Sequence, residues 1–416
     1  MQFNQRPTTM PDNNRFSGSV PLSGPVPGAN RYQQLNNQDI EHLRRRTRRQ
    51  FLATASGLIG GAALLVGGDV WLSSNPLAAF NKKACTTGAL STANPVKLTV
   101  GQAGKSIAFF RYYVAQQEGY FKARGLNMAD PVQMPNGAQL TAALKADKLH
   151  IANGVITDAF TLSRTDSSVQ IIGTLLNAYA VDIVVSNKFA LETTVTTNST
   201  LVEKVNALKG KRVGMTGPNT GTQALLTYLF RQQGLDATKV IQQVSLGSNS
   251  AAALAALKAG HVDALSYFVP FGQIAEAQKA GQIFISPLRG DIPELLGDAQ
   301  AVYYTRQSII DAQPQAIVAY IQAMSQAADF IHNNPEQTKI YLTKYLGLNA
   351  SVANAVYTAA LPSVTQNPQI SQDAYNVAGQ FHVKAGLVSV IPSYNKLVAT
   401  GIIGNALGNG TVSCQS

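Results

Sequence analysis

The stretch "KRVGMTGPNTGTQALLTYLF", residues 211–230, has the residue order of a strand, a loop of small residues and a helix. Such a loop can bind a phosphate group in nucleotide enzymes, or it can be a plain turn. A nucleotide phosphate loop ends in Gly-Lys-Ser/Thr, whereas Gln223 and Ala224 follow Gly221 and Thr222 here. The stretch therefore predicts one unit of an α/β fold with a polar recognition loop.

Part of this pattern occurs twice at a common offset. The segment "LTVGQAG" (98–104) is similar to "KRVGMTG" (211–217), and "AALKA" occurs at 142–146 and again at 255–259. A short strand pattern, "LHIA" or "VDAL", follows each copy of "AALKA". Either match alone could arise by chance, but the shared offset favours a common plan. Two similar α/β halves predict two lobes.

The expected fold is therefore α/β, with two lobes, a hinge, an interlobe cleft and additional C-terminal helices. The polar span 191–210 separates the two halves, and the strand pattern "AVYYTRQSII" leads back to the first. We expect a first lobe at 96–190 plus 300–400 and a second lobe at 191–299. Residues 401–416 form a C-terminal tail.

The N-terminal part of the chain has the pattern of an export signal. Residues 1–43 are mainly Pro-, Gly-, Asn- and Gln-rich and are expected to be a disordered leader. Within 44–79, "TRRQFL" places Arg48 and Arg49 one residue before Phe51 and Leu52, which resembles a twin-arginine signal. The apolar run that follows is long enough to remain as a membrane anchor, so release and anchoring both stay open.

The chain contains two cysteines, Cys85 and Cys414, close to the two ends of the expected exported part. In an oxidising compartment such a pair can form a disulfide, with two free thiols as the alternative. Their separation fits neither a redox motif nor a metal site, and no cofactor is expected.

The net charge of +11 gives a moderate positive field that could favour an anionic ligand, although a solvated surface explains it equally well. Beyond Arg49 the runs of Lys or Arg are no longer than the pairs Lys82-Lys83 and Lys211-Arg212. This distribution argues against nucleic-acid binding.

The segments "YVAQQEGYFKARGLN", "AALKADKLHIANG", "LKGKRVGMTGPNTGTQALLTYLFRQQGLD" and "AALKAGHVDAL" resemble, in order and spacing, the solute-binding proteins of sulfonate/nitrate/taurine-type ABC importers. The resemblance covers roughly residues 96–345. It implies a periplasmic-binding-protein fold that captures a small solute between its lobes, works as a monomer and delivers the solute to a membrane permease. Export machinery of the twin-arginine type would be a second partner. "KLHIA" departs from the Gly-x-Asp-Ile/Leu-Ala that the family usually has.

Ligands of open α/β sheets bind beyond the carboxyl ends of the strands, where helix N-termini present free N–H groups. This rule and the resemblance select candidate ligand-binding residues in both halves. They are Gln102, Lys105, Ser106, Asn153, Gly154, Thr157, Asn177 and Tyr179 in the first half, and Thr216, Gly217, Asn219, Thr220, Gly221, Thr222 and Tyr267 in the second. Asn219 or Thr220 could instead simply cap the following helix.

Two other functions remain open at this point. An enzyme on the same fold, such as a pyrimidine- or thiamine-precursor-synthesising relative, would need a reactive histidine. None of the five histidines is paired with a carboxylate or a cysteine at a motif spacing. A membrane-tethered sensor is possible if the apolar run is kept. We expect no catalysis.

Overall fold

The computed structural model describes residues 84–85, 90–408 and 412–413, which belong to one compact unit at 80–416. The leader, the export signal with Arg48, Arg49, Phe51 and Leu52, and Cys414 lie outside the described residues. Within the described part of the chain, no helix is both long enough and apolar enough to cross a bilayer.

Fourteen strands are described. Strands β1 to β14 are, in order, Ala84–Cys85, Val96–Leu98, Val100–Gln102, Leu126–Met128, Val132–Gln133, Ile151–Val155, Val169–Ala178, Val181–Ser186, Arg212–Met215, Gln242–Ser245, Ala264–Phe268, Gly281–Ile285, Leu296–Arg306 and Val412–Ser413.

The helices in the described ranges are numbered α1 to α17. They are, in order, Phe110–Gln117, Tyr120–Ala123, Gly137–Lys145, Ile156–Ser163, Asn187–Glu192, Leu201–Ala207, Gly221–Arg231, Ala237–Val240, Ser250–Lys258, Phe271–Ala277, Gln307–Ala312, Pro314–Asn333, Pro335–Leu346, Ala350–Ala360, Gln372–Lys384, Tyr394–Leu397 and Thr400–Ala406. Three short 3-10 turns, Ile107–Phe109, Pro293–Leu295 and Leu361–Ser363, complete the inventory.

Two five-stranded sheets form the centres of two lobes. The first sheet has the order β5-β3-β6-β13-β7 and the second β10-β9-β11-β8-β12. In each sheet the first three strands are parallel and the last two pair antiparallel to their neighbours. Apolar strand residues such as Ile151, Ile183 and Val213 are fully buried because helices cover the sheets. The two-lobed α/β fold predicted from the sequence is confirmed.

The internal repeat is also a structural repeat. Helices α3 and α9 each have nine residues, and Asn136 and Asn249 cap their N-termini through the side-chain oxygen. In the second copy, the Asp263 carboxylate accepts the Arg212 backbone N–H at 2.8 Å. At the matching position of the first copy, His150 Nδ1 accepts the Thr99 N–H at 3.0 Å. In "KLHIA", His150 therefore replaces the aspartate of the second copy as the acceptor of the same backbone hydrogen bond.

The chain crosses between the lobes twice, and the crossings differ from the predicted boundaries. Strand β7 belongs to the first sheet and β8 to the second, so the first crossing lies at Tyr179-Ala180. This is ten residues before the predicted boundary after 190, because the strand "AVDIVVSN" pairs with β11 and β12 rather than with β7. The chain returns through β13, whose first residue Leu296 already pairs with Ala178 of β7.

The C-terminal helices pack mainly on the first lobe, as expected, but α15 contacts both lobes. It packs on β13, and its Phe381 ring lies 4.7 Å from the Tyr179 ring and 5.0 Å from the ring of Tyr228 in α7. The next residue, His382, is bonded to Thr157 of the first lobe. Helix α15 therefore spans the hinge on the side of the crossing segments.

Candidate functional site

A small enclosed cavity lies between the two lobes, at the carboxyl ends of six parallel strands. The first lobe lines it with Ala103, Phe109, Asn136, Gly137, Val155 and Asp158, and the second lobe with Thr216, Thr220, Gly221, Ser248 and Phe268. The cavity has room for about 10 Å³, which accommodates roughly one water molecule. The structure is therefore a closed form, and binding of any solute requires the lobes to separate.

The second-lobe wall is the loop 216–222 that the sequence singled out. The Thr220 hydroxyl donates to the Gly217 carbonyl at 2.7 Å, and Thr220 caps α7. The hydroxyls of Thr216, Thr220 and Thr222 lie within 3.1 Å of one another, and Thr222 also accepts the Thr216 N–H at 3.0 Å. This network fixes the loop so that the α7 N-terminus, with its partial positive charge, points into the cleft.

The first-lobe wall combines the N-termini of α3 and α4. The Asn136 side chain caps α3, and its Nδ2 points toward the loop at Gly217 across the cleft. Asp158 lies in the first turn of α4, where its Oδ2 accepts the Val155 N–H at 3.1 Å. A Cβ at Gly137 would lie 1.9 Å from Asp158 Oδ1, so only glycine lets the α3 N-terminus approach this carboxyl group.

Asp158 is the one titratable side chain among the described residues that line the cavity. It is 3% exposed, and burial raises the pKa of its carboxyl group to about 7, against the lowering effect of the Val155 hydrogen bond. Both protonation states are therefore populated near neutral pH.

Contacts between the lobes close the cavity. The Ile107 N–H donates to the Val269 carbonyl at 3.2 Å, and the Ser248 hydroxyl donates to the Met134 carbonyl at 3.3 Å. Ser248 also lines a larger groove of about 570 Å³ at the mouth of the cleft, which Lys105 lines from the first lobe. Ser248 thus separates the enclosed cavity from the groove.

The predicted site residues divide into three groups. Thr216, Thr220 and Gly221 line the cavity, Gly217 lies at its edge, and Lys105 lies in the groove. Four others support the walls. Gln102 donates to the Gly104 carbonyl and to the Tyr345 hydroxyl, and Tyr267 donates to the Gly247 carbonyl. Ser106 is buried beside the 3-10 turn at 107–109, and Thr222 belongs to the hydroxyl network.

The remaining predicted residues lie outside the cavity. Asn153 accepts a hydrogen bond from Tyr320 in the first-lobe core, and Gly154 packs against Tyr304 and Asp158. Asn177 and Asn219 are exposed, Tyr179 donates to the Gly221 carbonyl in the hinge, and Thr157 bonds to His382. A position at or just after the end of a strand is therefore not enough to place a polar side chain in the cleft.

The Thr157–His382 contact is structural. His382 is fully buried, and its Nδ1 lies 2.6 Å from the Ala378 carbonyl, which can only accept a hydrogen bond. Nδ1 therefore carries the proton, and Nε2 accepts from the Thr157 hydroxyl at 2.7 Å. Burial lowers the pKa of this imidazole to about 4, so it is neutral at physiological pH.

Sequence reasoning missed the cavity residues Asn136, Asp158, Ser248 and Phe109. A signal for two of them was present in the repeat. Asn136 precedes the first "GAQLTAALKA" helix, and "GSNSAA" with Ser248 stands at the same place in the second copy. Asp158 carried no such signal, because α4 follows β6 without a loop.

Two similar α/β lobes with a cavity between them have the periplasmic-binding-protein fold. The model of the NMT1-like family matches residues 91–344, more than half of the chain, and the chain belongs to that family. No curated protein sequence matched the chain.

Solved structures with the same fold include three that are informative. The alkanesulfonate-binding protein SsuA from Xanthomonas axonopodis pv. citri, bound to MOPS, is 18% identical over 74% of this chain and 98% of its own (TM-score 0.58). The periplasmic nitrate-binding protein NrtA from Synechocystis PCC 6803 is 14% identical over 76% and 89% (TM-score 0.58). A DszB mutant in complex with biphenyl-2-sulfinic acid is 15% identical over 75% and 99% (TM-score 0.51). These similarities establish the fold.

Proposed function

We propose that the protein is an extracytoplasmic solute-binding protein that captures a small anionic or polar solute, of the sulfonate, nitrate or taurine-like class, between its lobes. It then delivers the solute as a monomer to an ABC importer permease. The observation that carries the proposal is the closed interlobe cavity, in which the α7 N-terminus provides N–H groups beside the Thr216 hydroxyl. Such groups hold an acidic group without a salt bridge.

Binding without turnover is the favoured activity. Catalysis on this fold would need a nucleophile or a base in contact with the substrate. Three of the described residues that line the cavity carry a hydroxyl group and Asn136 carries an amide, so Asp158 is the one lining side chain that could act as a base. SsuA is bound to MOPS and the DszB mutant to a sulfinic acid, and both ligands are sulfur acids, which supports the sulfonate class for this chain.

A thermal-shift panel tests the proposal. Sulfonates, nitrate, carboxylates and pyrimidines are added singly to the purified protein, and we expect one class to raise the melting temperature without being consumed. Thr216→Val, which removes a hydroxyl from the cavity, should reduce the shift, whereas the matched change Thr227→Val in the middle of α7 should leave it intact. No shift with any compound, or consumption of the stabilising one, would refute the proposal.

A further inference from the structure

The cavity is lined by one acidic side chain, Asp158, which has no favourable contact to make with a purely anionic solute. Asp158 lines the cavity, is 3% exposed, and uses only Oδ2 in a hydrogen bond within the described part of the chain. Oδ1 is left for a partner, and it lies against the α3 N-terminus at Gly137. No Lys, Arg or His is among the described residues that line the cavity, so the N-termini of α3 and α4 compensate the carboxylate there and no basic side chain does.

The opposite wall has the complementary character. The hydroxyls of Thr216 and Thr220 and the N-terminus of α7, a helix of eleven residues, face the same cavity from the second lobe. An acidic group fits this wall. A solute with only an acidic group would place a second negative charge near Asp158, whereas a solute that also carries an ammonium group would neutralise it.

We propose that the solute is zwitterionic, with its acidic end at the Thr216 hydroxyl and the α7 N-terminus and an ammonium group bonded to the Asp158 carboxylate. The inference rests on the proposed function and narrows its ligand class. Asp158 is then the residue that separates amino-bearing acids from simple anions such as nitrate. Its position in the first turn of α4, fixed by the Val155 N–H, gives it one orientation toward the cavity.

The pH dependence follows from the groups around Asp158. The phenols of Tyr179 and Tyr304 have pKa values that burial raises well above the usual value, and the buried His382 imidazole near α4 stays neutral because burial lowers its pKa to about 4. None of these groups titrates near neutrality. Affinity for an ammonium-bearing solute should therefore rise as Asp158 ionises between about pH 5.5 and about pH 8.5, while affinity for a simple anion should fall.

Calorimetry with two matched pairs of probes tests the inference on the full-length protein. The pairs are 2-aminoethanesulfonate with ethanesulfonate, and 3-aminopropanoate with propanoate. The amino member of at least one pair should bind about tenfold or more tightly than its partner at pH 8. Asp158→Asn keeps an oxygen for the Val155 N–H but removes the charge, and it should abolish that preference.

Asp182→Asn is the matched control, because Asp182 is a buried carboxyl group in β8 whose pKa burial also raises to about 7, outside the cavity lining. It should leave the preference unchanged. If Asp158→Asn does not fold, the wild-type protein still provides a test. Its affinity for the amino member of a pair should rise with pH, and its affinity for the member without the amino group should fall. Equal binding of both members, or a preference that survives Asp158→Asn, overturns the inference while leaving solute capture intact. Absence of binding by every anionic or polar probe, including nitrate, overturns the proposed function and the inference together.

Discussion

At the scale of single residues, the buried hydroxyl of Thr222 holds the recognition loop together. It accepts the Thr216 N–H and lies 2.8 Å from the Thr216 hydroxyl. Thr222→Val keeps the shape but leaves a buried N–H without its partner, so the free energy of unfolding should fall by about 1–3 kcal/mol. Urea denaturation measures the change. Thr227→Val, whose hydroxyl bonds only to the Gln223 carbonyl one helical turn before it, should cost much less. Equal losses for the two variants would contradict the role of the network.

His382 makes the stability of the fold depend on pH. Burial lowers its pKa to about 4, below its value of about 6.5 in an unfolded chain. The unfolded state therefore takes up a proton first as the pH falls, and the stabilisation present above pH 6.5 is lost between about pH 6.5 and about pH 4. From pH 7.5 to pH 5 the wild-type protein should lose about 2 kcal/mol through this residue.

The measurement for His382 compares variants, because the buried carboxyls Asp158, Asp182 and Asp298 have raised pKa values and change stability with the opposite sign. His382→Gln can still accept from Thr157, and its unfolding free energy should depend less on pH than that of the wild-type protein. His261→Gln, at an exposed turn position, is the control and should follow the wild-type curve. Parallel curves for all three proteins would disprove the assignment.

At the scale of elements, the loops after β3 and β10 decide how far the lobes close. A Cβ at Gly104 would lie 2.9 Å from both Cβ and Oγ of Ser248 in the opposite lobe. Gly104→Ala should clash with Ser248 and hold the lobes farther apart. Because the closed form has room for roughly one water, making this form less populated should strengthen the apparent affinity for solute by up to about tenfold. Solution scattering should also show a more open molecule.

Backbone strain needs its own control in this experiment, because Gly104 has φ +84°. Gly290 has φ +88°, and a Cβ there would meet nothing within 4 Å. Gly290→Ala should therefore cost similar stability without changing affinity. If Gly290→Ala strengthened binding as much as Gly104→Ala, lobe closure would not be the cause.

The repeat explains why the elements were largely predictable. Identical "AALKA" segments fold into helices of equal length with equal caps, because apolar spacing and an Asn cap are local properties. The predicted boundary after 190 placed the crossing strand β8 in the first lobe, whereas it belongs to the second sheet. "AVDIVVSN" has the same apolar character in either sheet, and only the non-local pairing with β11 and β12 decides its lobe. Whether a residue such as Asp158 lines the cavity depends on how its helix is oriented in the folded protein, and residue spacing in the sequence does not give that orientation.

At the scale of the whole molecule, the expected export signal determines where the protein works. Its residues Arg48 and Arg49 lie outside the described part of the chain. The prediction of export therefore has to be tested by an experiment in cells. Changing both to lysine should keep the protein in the cytoplasm, because the twin-arginine route reads the arginine pair itself. Fractionation of cells with an antibody against the folded unit measures this, and Arg44→Lys with Arg45→Lys is the charge-matched control. Normal export of the double Arg48/Arg49 variant would exclude the twin-arginine route.

The two ends of the folded unit meet, and this bears on the two cysteines. Strand β1 pairs antiparallel with β14, with Cys85 opposite Val412 and Ala84 opposite Ser413. Cys414 is the next residue in the sequence and lies outside the described residues. We propose a Cys85–Cys414 disulfide that closes a loop of roughly 330 residues, for which chain entropy gives a stabilisation of about 6 kcal/mol at most.

The bridge should depend on the compartment, since the cytosol keeps thiols reduced. Exported wild-type protein should therefore resist thiol alkylation until it is denatured and reduced, whereas the retained Arg48/Arg49 variant should be alkylated at both cysteines after denaturation alone. Cys85→Ser with Cys414→Ser should lower the melting temperature of the exported protein and leave that of the retained protein unchanged. Two reactive thiols in exported protein denatured without reductant would rule out the bridge, and the pairing of β1 with β14 would then rest on backbone hydrogen bonds alone.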